Sequence, residues 1–309
     1  MTSCNRIKEV IKNINPYLLF CHKNKDFDFV ISLDGNNKDY IDFCKKYKIP
    51  LIYSLEREGV GLSKNRVLKQ FPDYDFYFFI DDDIELIDDS IFDLYISISR
   101  EMSINYLSYN INGNIEMIGN GKYPLVGGKK GGGCFNFYTN KALISIGGWH
   151  ILFAKYKRFG HTEHSYRVFY KKLNPFPFVA ISNITEYLIL NDPPHVTNLV
   201  LDHNENELVA EEQAMIDAKQ TYFPLTTLSE FYFNGFDLSI PHLHPDLHKG
   251  RYALLKGLDK IKAWGNFYFH KFKTNKKPVD LILALMLYPN NNLLKHYIKT
   301  KLISWKENL

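Results

Sequence analysis

Apolar residues fall along this chain in two patterns, short unbroken runs and runs at helical spacing. Phe76-Tyr77-Phe78-Phe79-Ile80 is the clearest unbroken run, and it leads straight into Asp81-Asp82-Asp83-Ile84-Glu85. Such a run reads as a strand buried on both faces of a mostly parallel sheet. Phe27 to Leu33, ending in Asp34-Gly35-Asn36, and Ile49 to Tyr53 read the same way. Ile7, Val10, Ile11 and Ile14 recur at helical spacing within residues 5–14, and helices are also predicted over 40–47, 62–70 and 91–102. Strands that alternate with helices predict an α/β, doubly wound sheet. A helix this close to Met1 is unusual, since such a domain normally opens on a strand.

The second half reads less regularly. Residues 104–118 are expected to form strands of a smaller sheet, and Gly127 to Gly133 a mobile glycine-rich loop. That loop is no phosphate-binding loop, because Gly-Lys-Ser/Thr is missing. Further strands are expected at 135–138, 178–181 and 186–190, and helices at 141–146 and 164–172, the former closed by Gly147-Gly148. After about residue 200 the pattern turns helical. The domain reading is therefore a catalytic domain over 1–200, with halves of about 1–100 and 101–200, and a helical, basic extension over 201–309.

Charge sharpens that division. Residues 249–309 carry 13 Lys+Arg against 3 Asp+Glu, a net +10, within a chain whose total is +4. A basic tail interleaved with Trp264, Phe267, Tyr268, Phe269, Phe272 and Tyr297 suits an anionic membrane leaflet. Packing of those aromatics onto the catalytic domain is the alternative. No nucleic-acid-binding motif accompanies the tail. Cys4, Cys21, Cys44 and Cys134 show no metal-binding spacing and read as free thiols in a reducing compartment. With no signal peptide and no run long enough to span a bilayer, a cytoplasmic protein is expected, peripheral at the membrane if the tail binds it.

Three carboxylates at the end of a buried strand cannot stay buried unpaired. Ligands of open α/β sheets bind at that end of the strands. Closely spaced carboxylates suit a hard divalent cation that also holds phosphate oxygens, although a solvated acidic turn is the plain alternative. Asp34 stands at a second strand's end and has the same two readings, ligand contact or turn former. Lys64, near a helix start, and Arg6 suit phosphate, and each is equally readable as a solvated cation.

Taken in order, these pieces resemble nucleotide-sugar glycosyltransferases of the GT-A fold. The nearest are the family 2-like enzymes, with a galactosyltransferase-like C-terminal motif. The resemblance covers roughly residues 1–200. It rests on Thr2-Ser3-Cys4-Asn5-Arg6, Val30 to Gly35, Gly61-Leu62-Ser63-Lys64-Asn65-Arg66, Asp81-Asp82-Asp83, Gly131-Gly132-Gly133, Gly147-Gly148-Trp149 and Gly160-His161-Thr162-Glu163-His164. It implies a metal-dependent transfer of a sugar from a nucleotide diphosphate donor, UDP-linked, to the hydroxyl of a saccharide or lipid-linked acceptor. Asp83 is the expected metal ligand, with Asp81 at the metal or the ribose and His195 completing the site, His203 being the reserve. An imidazole ligand favours Mn²⁺ over Mg²⁺. Thr2, Arg6, Asp34, Lys64, Asp81, Asp82 and Trp149 are expected on the donor, and Glu163 and His164 at the acceptor as catalytic groups. Two departures stand out. The family's opening strand would precede Thr2, so either the start is truncated or misassigned or the sheet lacks an edge there. The family's Glu-Asp is Glu163-His164 here. The alternatives are a nucleotidyltransferase and a non-catalytic glycan-binding or scaffold protein.

Overall fold

A computed structural model describes residues 1–118, 121–156, 160–191 and 205–235. All lie in the first of two compact units, Met1–His244 and Pro245–Leu309. The first half runs β1 (Thr2–Ser3), α1 (Ile7–Lys23), β2 (Ile31–Leu33), α2 (Lys38–Tyr47), β3 (Leu51–Ser54), α3 (Val60–Gln70), β4 (Phe76–Ile80), β5 (Ile84–Leu86) and α4 (Ile91–Met102). There follow β6 (Tyr106–Ser108), β7 (Ile111–Asn112), β8 (Glu116–Met117), β9 (Leu125–Gly128), β10 (Lys130–Gly131), β11 (Phe135–Thr139), α5 (Asn140–Ile146), α6 (Leu152–Tyr156), α7 (His161–Tyr170), β12 (Phe178–Ile181) and β13 (Leu188–Leu190). The described part closes with α8 (Glu205–Asp217) and β14 (Phe231–Asn234).

The protein is a mixed α/β fold. β1, β2 and β3 are parallel, and β14 adds antiparallel to β3. A parallel bridge from Thr2 to Asp81 joins this sheet to β4, which pairs antiparallel with β11, and β11 in turn with β6. The described residues open on a short strand, Thr2–Ser3. Its two residues are too few to leave a periodic signal. β14 likewise departs from the helical reading of the stretch after residue 200. Tyr232 stacks on its register partner Tyr53 at 5.3 Å, a cross-strand aromatic pair that favours the strand.

β4 is apolar throughout because both of its faces are covered. Phe78 packs on Phe92 of α4 at 4.9 Å and on Phe137 of β11 at 5.1 Å, while Phe79 meets Trp149 at 5.1 Å on the other face. Each such ring contributes about 1.5–3 kcal/mol by burial. α1 runs well past the predicted residue 14 and contains Pro16. The missing Pro16 amide is tolerated because the next turn buries Tyr17, Leu18 and Phe20. The expected mobile loop at Gly127–Gly133 is instead sheet, formed by β9 and β10. The glycines there serve close approach: a Cβ on Gly127 would overlap the Phe176 ring, and one on Gly131 the Asn110 carbonyl and the Phe178 ring. A glycine run with buried neighbours on both faces cannot be told from a floppy one by composition alone.

Candidate functional site

The carboxyl ends of β1, β2 and β4 lie side by side, so Arg6, Asp34 and Asp81–Asp83 converge. α1 braces the acidic turn from behind. Asn13 Nδ2 donates to the Asp82 carbonyl at 2.8 Å and Tyr17 Oη to the Ile84 carbonyl at 3.0 Å. The three aspartates then take three different environments. Asp81, the most open, accepts from Thr2 Oγ1 at 2.8 Å. Asp82 is fully buried, accepts from Ser3 Oγ and pairs with Arg6. Asp83 pairs with the same guanidinium at 2.9 Å through Oδ2. Among the described residues its Oδ1 has no hydrogen-bond partner. Burial pushes the Asp82 carboxyl up to about 7 against the opposing pull of Arg6. Burial and then the nearby Asp81 raise Asp83. Arg6 itself is fixed by its backbone amide, which donates to Tyr40 Oη at 2.8 Å.

The fit of the cluster to a divalent cation turns on which carboxylate oxygens are already taken. Arg6 already holds one oxygen on each of Asp82 and Asp83. No group of three metal-ligating side chains is assembled among the described residues. What remains is a single orphaned oxygen, Asp83 Oδ1, beside the more open Asp81. That suits a cation whose other ligands come from a diphosphate, since hard cations of this kind are commonly held by one or two carboxylates plus phosphates. His195 and His203 lie outside the described residues.

The other donor-side residues are drawn in more tightly than their sequence positions suggested. Asp34 is 5% exposed and accepts from the amides of Glu58 at 2.7 Å and Gly59 at 3.0 Å. It therefore holds the loop that starts α3. Arg66 is fully buried between Asp34, at 3.7 Å, and Glu58, at 2.6 Å, and donates to the Leu33 carbonyl. Lys64 sits in the second turn of α3, not at its first amides. Its ammonium lies 5.8 Å from the Phe79 ring and 5.5 Å from the Trp149 ring. Burial pushes that ammonium down, and Asp81 opposes the shift. Lys64 is thus a desolvated cation whose main opposing charge is Asp81.

On the acceptor side, Trp149 is 1% exposed and stacks on His164 with ring centroids 3.9 Å apart. Both ring nitrogens of His164 are engaged, by Tyr138 Oη at 3.0 Å and the Gly147 carbonyl at 3.2 Å. Trp149 is therefore a core residue with no face open to a sugar. Burial, then Arg167, holds His164 well below the usual histidine range, so it is neutral. Glu163 pairs with Arg167 at 2.7 Å one helical turn on, and its Oε1 has no partner among the described residues. Arg167 also donates to the carbonyls of Ile146 and Gly148, tying α5 to α7. Glu212 of α8 accepts from the Glu163 amide at 3.4 Å.

Several residues of this site went unforeseen. Ser3, Asn13, Tyr40, Glu58 and Glu212 reach it from distant segments and left no local signal. Arg167 did leave one, because a glutamate four residues ahead of an arginine marks a helical ion pair.

No family model matches this chain, and no curated protein matches it. Among solved structures it is similar to Staphylococcus aureus TarS residues 1–349 in complex with UDP. That similarity has a TM-score of 0.49 and 14% identity, and covers 86% of this chain and 78% of that one. A second structure of S. aureus TarS gives a TM-score of 0.44 at 15% identity, over 86% of this chain and 47% of that one.

Proposed function

We propose that this chain is a glycosyltransferase that moves a sugar from a nucleotide diphosphate donor, UDP-linked, to a hydroxyl acceptor. The observation that carries the reading is the acidic turn at the carboxyl end of β4. It holds one unpartnered carboxylate oxygen, at Asp83, whose other oxygen pairs with the braced Arg6 guanidinium, and the buried Lys64 ammonium interacts with the neighbouring Asp81. Charge of both signs is needed there, because a diphosphate leaving group gains negative charge as the sugar–oxygen bond breaks. Asp83, with Asp81 beside it, would hold a divalent cation, Mn²⁺ in preference to Mg²⁺ if His195 joins it. The ion supplies Lewis-acid neutralisation of the phosphates. Arg6 keeps Asp82 and Asp83 oriented, and Lys64 adds a second positive charge next to Asp81. Asp34 and Arg66 position the loop before α3. Glu163, through its unpartnered oxygen, is the acceptor-side base, and His164 orients its surroundings from behind Trp149. The acceptor is a saccharide or a lipid-linked saccharide, and the basic tail over 249–309 would bring the protein to an anionic membrane surface.

A non-catalytic glycan-binding reading draws on one specific observation, the occupation of two carboxylates by Arg6. Turnover of a panel of UDP-sugars with and without Mn²⁺ separates the two. Donor-selective, metal-stimulated release of UDP supports the enzyme. Tight UDP binding with no release under any condition supports the binding protein.

A further inference from the structure

His161 opens α7, and its surroundings differ from those of Glu163 and His164 on the same helix. Those two are turned into the core, whereas His161 is partly exposed. Its ring lies on the Gly131-Gly132-Gly133 run. A Cβ on Gly133 would stand 2.5 Å from His161 Cγ and 2.8 Å from Nδ1, so glycine leaves the room that the ring needs. Phe178 borders the same seat. A Cβ on Gly131 would overlap its ring, whose centroid is 6.2 Å from that of His161. The seat is itself anchored, because Asn136 Nδ2 donates to the Gly133 carbonyl at 2.6 Å. One residue on, the Cys134 carbonyl accepts from the Asp81 amide at 2.8 Å. The backbone under the ring therefore leads straight to the acidic turn.

The charges around the ring agree with that placement. Burial first, then the Lys64 ammonium, lowers His161 to about 4, opposed by Asp81 and by a hydrogen bond to the Gly131 carbonyl. The ring is neutral at neutral pH, with one N–H and one lone pair. The Gly131 carbonyl takes the N–H. Among the described residues nothing bonds the other nitrogen. A lone pair of this kind discriminates among the parts of a nucleotide-sugar donor. A diphosphate has no hydrogen to give it at neutral pH. A metal would need further ligands beside the ring, and no group of three metal-ligating side chains is assembled among the described residues. A hydroxyl has the hydrogen that the lone pair lacks, and the sugar carries hydroxyls next to the diphosphate.

We propose that His161 accepts a hydrogen bond from a hydroxyl of the sugar to be transferred. This inference rests on the glycosyltransferase reading and adds to it a residue that touches the sugar. Calorimetry of the full chain with UDP, UDP-glucose, UDP-galactose and UDP-N-acetylglucosamine, in Mn²⁺, tests it. In His161→Phe and His161→Ala the Kd of the tightest-bound UDP-sugar should rise by about fivefold or more, while that of UDP stays within about twofold of the parent. Unchanged affinity for that UDP-sugar overturns the proposal, as does equal weakening of UDP and the UDP-sugar. Weakening confined to His161→Phe also overturns it, because bulk and not the lost lone pair would then be at work. A parent that binds none of the four compounds refutes the glycosyltransferase reading, and this inference with it. A parent that binds them while both variants match it refutes the inference alone.

Discussion

Asp82 and Asp83 are neighbours in sequence and opposites in circumstance. Asp82 spends its charge on Arg6 and Ser3 in the interior, whereas Asp83 keeps one oxygen without a partner. Asp83→Asn is expected to remove metal-stimulated turnover by about 100-fold or more, since loss of a Lewis-acid ligand forfeits several kcal/mol in the transition state. Its melting temperature should stay close to that of the parent, because a like charge leaves the cluster. Asp82→Asn should lower the melting temperature as well, since it leaves Arg6 short of a buried partner. Unchanged Mn²⁺ stimulation in Asp83→Asn would remove the metal assignment. A second residue-scale expectation concerns pH. Burial lowers His164, and lowers His161 to about 4, so below about pH 6.5 the unfolded chain binds more protons than the folded one at these two sites. The stability these two contribute is complete above that pH and is lost as the pH falls from about 6.5 toward 4. Asp82, raised to about 7, acts with the opposite sign across all of that range. Comparison with His164→Gln cancels the Asp82 contribution. The variant's melting temperature should fall less steeply between pH 6.5 and 5 than the parent's, and parallel profiles would contradict the assignment.

At the scale of elements, the turn after α5 is held by a conformation that only glycine adopts comfortably. Gly147 has φ +75°, its amide caps α5 through the Leu143 carbonyl, and a Cβ there would overlap the Phe223 carbonyl. Gly147→Ala should cost at least about 2 kcal/mol. Gly113 shares the positive φ, at +85°, but has open space around it. Gly113→Ala should cost less, and thermal melts of both variants would isolate the clash from the backbone strain. Much of this scale was legible in advance. The aspartate strand, α3, α4 and the glycine end of α5 all announced themselves through apolar runs and caps. β1 and β14 did not, because a strand of two residues has no period and a late strand is made by pairing with β3 instead of by local preference. The glycine-rich strands β9 and β10 were hidden for a different reason: their glycines are chosen by neighbours far away in the chain. The candidate site was half legible. Its carboxylates stood at a strand end, but the buried state of Asp82, Asp34 and His164 follows from packing by segments that no local window contains.

For the whole molecule, the basic tail separates two expectations of how the protein meets its acceptor. No described helix is long and apolar enough to cross a membrane. An attachment through residues 249–309 would draw on their charge and interfacial aromatics, with each lysine near an anionic leaflet contributing about 1 kcal/mol. Co-sedimentation with anionic vesicles is expected at low salt, to weaken steeply at high salt, and to disappear when 249–309 are removed. Binding that ignores salt, or that survives removal of the tail, would refute the membrane role.

One side chain gives the first unit a temporal order as well as a shape. Asn65, fully buried on α3, donates to the carbonyls of Trp149 at 2.9 Å and Thr226 at 2.8 Å and accepts from the Trp149 amide at 2.8 Å. Its partners lie 84 and 161 residues away along the chain. Such contacts form only after long loops have closed, so they belong on the native side of the folding barrier. Asn65 then acts as a latch that slows opening and leaves the rate of folding almost untouched. Asn65→Ala, which orphans buried groups at about 1–3 kcal/mol, should speed unfolding by roughly 5- to 150-fold and shift refolding little. Chevron kinetics would show it, and a mainly slower refolding limb would mean that this clasp closes early.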